Sequence, residues 1–86
     1  MIKYKVRIAK TAEKQLRRLP SKYKDRIGLA LLELAENPLP FGVKKLTGTE
    51  STYRIRVADY RIIYDLEHKV LTILVLKIGH RRDIYR

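Results

Sequence analysis

The chain contains no cysteine, which rules out disulfides and thiol nucleophiles. With only two histidines, nearly every structural zinc site goes as well. Acidic residues are scarce, nine against twenty Lys and Arg. No paired carboxylates, no Gly-rich phosphate loop and no Ser-His-Asp arrangement stand out, so hydrolases of those types have little support. No apolar run approaches the roughly 20 residues of a membrane span. The opening "MIKYKVRIAK" alternates charge with apolar residues where a signal peptide would carry an unbroken apolar block. The expectation is a soluble cytoplasmic protein without a membrane partner. At 86 residues it should form one domain, 1–86, burying roughly 60–65% of its unfolded surface.

What the chain does have is positive charge. A net +11 exceeds what solubility demands of so small a domain. Thermophile-type charged surfaces mix both signs in ion-pair networks, whereas here one sign dominates, so a polyanion, nucleic acid first, is the expected partner. An acidic protein would answer the same charge.

Hydrophobic patterning predicts β-α-α-β-β-β. Ile2, Tyr4, Val6 and Ile8 alternate with Lys3, Lys5 and Arg7, the period of a strand with one buried face, though its pairing position stays open. Thr11 is the expected N-cap of a short helix bearing Ala12, Leu16 and Leu19, stopped by Pro20. Ser21 is the expected cap of a second helix with the stripe Tyr23, Ile27, Ala30, Leu31 and Leu34, widened by Leu29 and Leu32 and closed at Asn37-Pro38. Residues 39–50, with Pro40, Gly42 and Gly48, read as an exposed basic connection carrying Lys44 and Lys45. Three strands follow, "TYRIRV", "YRIIYDL" and "VLTILVLKI", turning at Ala58-Asp59 and near Glu67-His68. Helices segregated from a mainly antiparallel sheet make the class α+β, with the helical hairpin on one face.

With Ala58-Asp59 as a two-residue loop, Val57 faces Tyr60, Arg56 faces Arg61 and Ile55 faces Ile62. Tyr53, Ile55, Val57, Tyr60, Ile62 and Tyr64 then form the apolar face of the hairpin, and Arg54, Arg56 and Arg61 gather on the other. Opposed like charges destabilise a strand pair by about 0.2–1 kcal/mol, a cost that a bound phosphate would reverse. Long arginines splaying into solvent are the alternative. Arginine's planar five-donor fork suits phosphate oxygens and stacking on bases.

The stretches "LTG", "YRIRVADYRIIY" and "GHRRDIY", within the β-α-α-β-β-β order, resemble the RelE/ParE superfamily of toxins from toxin–antitoxin pairs, most closely the RelE-like messenger-RNA endonucleases. The resemblance covers nearly the whole chain. It implies a ribosome-dependent nuclease that attacks the phosphate with a ribose 2′-hydroxyl, using no metal or other cofactor, and that is inhibited by a RelB-like antitoxin. The family's functional residues fall on Arg54, Arg56, Arg61, His80, Arg81 and Tyr85. Where the best-known members have lysines this chain has Arg54 and Arg56, and arginine does not serve as a general base. Histidine can act as acid or base near neutrality, which points to His80. Tyr85 can stack on a base, bind phosphate, move protons or anchor the tail. Lys44, Lys45, Arg82 and Arg86 are expected to add RNA- or ribosome-binding charge. A gyrase-inhibiting toxin of the ParE branch and a non-catalytic RNA- or ribosome-binding module are the alternatives.

Overall fold

The structure, a computed structural model, describes residues 3–80. The expected tail residues Arg81, Arg82, Tyr85 and Arg86 lie outside the described residues.

Strand β1 (Lys5–Ile8) leads into helix α1 (Lys10–Arg17) and helix α2 (Ser21–Glu36). Strands β2 (Lys44–Lys45), β3 (Thr52–Val57), β4 (Tyr60–Glu67) and β5 (Thr72–His80) follow. The sheet order is β1-β5-β4-β3-β2, antiparallel except for β1, which runs parallel to β5. The class is α+β, two helices on a five-stranded mixed sheet.

Several local expectations are corrected. The basic connection contains the short edge strand β2, because Lys44 and Lys45 pair with Arg54 and Tyr53. Neither expected cap operates. Helix α1 starts at Lys10 behind Ala9, leaving Thr11 in its first turn. The N-cap of α2 is Pro20, whose carbonyl accepts from the amides of Tyr23 and Lys24, and Ser21 is the first helical residue. Leu29 and Leu32 do not widen the buried stripe, being 61% and 65% exposed. The last strand begins at Thr72, two residues late, because His68–Val70 form a single 3₁₀ turn that closes with Leu71 at φ 45°.

Ala12 of α1 and Ile27, Leu31 and Leu34 of α2 meet Ile55, Ile62, Tyr64, Leu66, Ile73, Val75 and Ile78 of the sheet in one core, with Tyr53 partly buried at its margin. No charged side chain among the described residues is buried. The hydroxyl of Tyr64, a buried member of that core, donates to the Pro38 carbonyl at 2.6 Å and so ties the segment just after α2 to the sheet. Burial pushes this phenol's pKa upward, with the neighbouring Tyr53 adding to the shift. No helix among the described residues is long and apolar enough to cross a membrane.

Candidate nucleic-acid interface

The β3–β4 turn has two residues, with Ala58 in the left-handed region at φ 55°. That turn sets the register Val57↔Tyr60, Arg56↔Arg61, Ile55↔Ile62 and Arg54↔Ile63, as the alternation predicts. Directly opposed residues share a face, so Arg54, Arg56 and Arg61 all lie on the side of the sheet away from the helices. Arg56 is exposed, while Arg54 and Arg61 are half-buried.

Strand β2 adds one cation to this face. Lys44 pairs with Arg54 and therefore stands beside it, whereas Lys45 pairs with Tyr53 and shares the side of the sheet that the helices cover. Both lysines are exposed. Only Lys44 joins the arginine face, which divides a pair the sequence places together.

His80 is separated from the arginines by the same parity argument. Strand β5 carries one extra residue opposite the Ile63/Tyr64 step: Ile63 pairs with Lys77 and Tyr64 with Val75, so Leu76 is a bulge. Past the bulge the faces exchange. Ile78 enters the core, and His80 pairs with Tyr60 on the helix side, its ring 5.8 Å from the Tyr60 ring in an edge-on arrangement. Tyr60 in turn packs against Tyr23 of α2, ring centres 4.9 Å apart. His80 is thus placed with an aromatic group on the helix side and not within the Arg54, Arg56 and Arg61 cluster.

The bulge also supplies a residue that pattern reading passes over. Lys77, exposed, comes to the arginine face opposite Ile63. A signal for it exists in "ILVLKI": with Ile73 and Val75 inward, unbroken alternation would bury Lys77 and expose Ile78. That conflict is the mark of a bulge.

Two helices on one side of a mixed sheet and a cationic opposite face define a small basic α+β domain. The family model described as ParE toxin of type II toxin–antitoxin system, parDE, matches residues 6–85. The chain is 38% identical over 85 residues to Toxin RelE3 of Methanocaldococcus jannaschii, covering 94% of each. It is 31% identical over 84 residues to Toxin RelG of Mycobacterium tuberculosis, covering 96% of this chain and 97% of that one. Among solved structures, the archaeal RelE–RelB complex from Pyrococcus horikoshii OT3 contains a chain that superposes with a TM-score of 0.83 at 36% identity, covering 96% of this chain and 99% of that one. The chain belongs to the RelE/ParE superfamily, as a RelE-family toxin of a type II toxin–antitoxin system.

Proposed function

We propose that this toxin cuts messenger RNA on the ribosome by internal transesterification, and that a RelB-like antitoxin restrains it. The observation that carries the reading is the gathering of Arg54, Arg56, Arg61 and Lys44 on one sheet face, with Arg56 directly opposite Arg61 and Lys44 opposite Arg54. Like charges held in register on a rigid sheet give a phosphate preorganised donors and need no reorganisation when negative charge develops.

In this mechanism the ribose 2′-oxygen bonds to the adjacent phosphorus as the bond from phosphorus to the 5′-oxygen breaks. The products are a 2′,3′-cyclic phosphate and a 5′-hydroxyl. The 2′-hydroxyl proton passes to a base and another proton reaches the leaving oxygen. Arg56 and Arg61 neutralise the phosphorane, and Arg54 and Lys44 hold the flanking backbone. By resemblance Arg81 and Tyr85 complete the site, and Arg82, Arg86 and Lys45 bind ribosomal or messenger RNA beyond it. His80, placed against Tyr60, is assigned no step.

The antitoxin assignment draws on the RelE–RelB complex of the Pyrococcus relative and on the net charge of +11, which suits an acidic-leaning partner. Leu29 and Phe41, exposed along one groove with Arg26, offer that partner apolar anchors. The place of action is the cytoplasm, where translating ribosomes are.

Single-turnover cleavage on programmed ribosomes tests the reading. Arg61→Ala and Arg81→Ala should each slow cleavage by on the order of 10²–10³-fold, the loss typical of one preorganised donor, while the protein stays folded and antitoxin binding holds. Tyr85→Phe asks whether the hydroxyl takes part. The ParE description of the matching family model favours one second reading, gyrase inhibition. Wild-type protein that leaves ribosome-bound messages intact but blocks supercoiling by gyrase would replace the nuclease with it.

A further inference from the structure

Lys77 stands in a row of side chains that crosses the sheet on its arginine face. Lys44 pairs with Arg54, Arg54 with Ile63, and Ile63 with Lys77, so the row reads Lys44, Arg54, Ile63, Lys77 from β2 to β5. Ile63 is the one apolar member and is only 7% exposed, although it lies on the face away from the helices. Its directly opposed neighbours are the two cations, whose aliphatic stems are suited to flank it while their charged ends stay in water. Three interstrand spacings of about 4.8 Å make the row about 14 Å wide. The adjacent row is Arg56, Arg61, Gly79, and glycine puts no side chain between Arg61 and the β5 side of the sheet.

We propose that Lys77 binds a backbone phosphate of single-stranded RNA next to the phosphate held by Arg56 and Arg61, so that the message lies across the strands and not along them. The inference rests on the nuclease reading for its substrate, but not on cleavage. The physical basis is the Leu76 bulge: it turns Lys77 outward to the arginines while keeping Ile78 in the core. A compact ammonium on a flexible stem suits a positioning contact, because it binds as a point charge and tolerates variation in backbone geometry.

The test is equilibrium binding of a fluorescein-labelled 2′-O-methyl RNA dodecamer, which cannot undergo internal attack, at several salt concentrations. Each lost phosphate contact on a single strand reduces the slope of log affinity against log salt by about 0.7. Lys77→Ala should show that reduction and Lys77→Arg should restore the slope. Lys69→Ala, which removes one charge from the 3₁₀ turn preceding β5, should leave it unchanged. Equal slopes for Lys77→Ala and Lys69→Ala overturn the proposal, as does a wild-type chain that fails to bind the dodecamer. A Lys77→Ala defect confined to an acidic antitoxin peptide overturns it too, assigning the lysine to a protein partner. If the slopes behave as expected and wild-type protein cuts no ribosome-bound message, the nuclease reading falls and the phosphate contact stands.

Discussion

Arg56 lies directly opposite Arg61 across β3 and β4, on the sheet face turned away from the helices. Like charges in that arrangement oppose pairing by about 0.2–1 kcal/mol. Arg56→Thr, which keeps a β-branched strand former at the position, should therefore raise the melting temperature at low ionic strength by up to a few degrees, given about 4–8 °C per kcal/mol for a domain of this size. The gain should shrink as salt screens the pair. The same variant should cleave more slowly, so stability and activity move in opposite directions. A melting temperature unchanged at every salt concentration would show that the two guanidiniums splay far enough apart to ignore each other.

Tyr64 is fully buried and its hydroxyl donates to the Pro38 carbonyl at 2.6 Å. Tyr64→Phe removes the donor and should cost about 0.5–1.5 kcal/mol in urea unfolding. A pH effect accompanies it. Burial, assisted by Tyr53, pushes the folded phenol's pKa above the ordinary tyrosine value of about 10. Above that pH the unfolded chain loses the proton that the folded chain retains, so the unfolded state binds fewer protons and stability falls as pH rises. Stability is constant with respect to this group below about pH 10. Urea titrations from pH 9 to 11 should show a shallower alkaline decline in Tyr64→Phe than in the wild type.

Gln15 of α1 accepts the Ile78 amide through Oε1 at 2.8 Å. The β1 pairing of β5 stops at Val75, so beyond that point the outer edge of β5 has lost its strand neighbour and a helix side chain supplies the acceptor. Gln15→Ala leaves this part-buried amide unsatisfied and should cost about 1–3 kcal/mol. Hydrogen exchange at Ile78 should accelerate by more than the change in global stability accounts for. Gln15→Glu keeps an acceptor and should retain most of the protection.

Much of this geometry can be read in one dimension because its causes are local. A two-residue turn at Ala58-Asp59 and a period of two together determine which side chains share a face, so the opposition of Arg56 and Arg61 follows from counting. The helical stripe of Ile27, Leu31 and Leu34 follows likewise from the 3.6-residue period. Leu29 and Leu32 misled because an apolar residue at the margin of a stripe is buried only if another element covers it, and none of the described elements does.

The sequence by itself determined the α+β class, the register of the β3–β4 hairpin and the arginine face, since each depends on residues close together along the chain. The tertiary structure alone decided the parallel docking of β1 beside β5, the pairing of β2 that brings Lys44 to Arg54, and the sides taken by Lys77 and His80. The reason for the last is the Leu76 bulge. One residue leaves the ladder so that Ile78 can fill the core between sheet and helices. Every side chain after the bulge exchanges faces in consequence, a choice that depends on packing against α1 and α2, some 40 or more residues away in the chain.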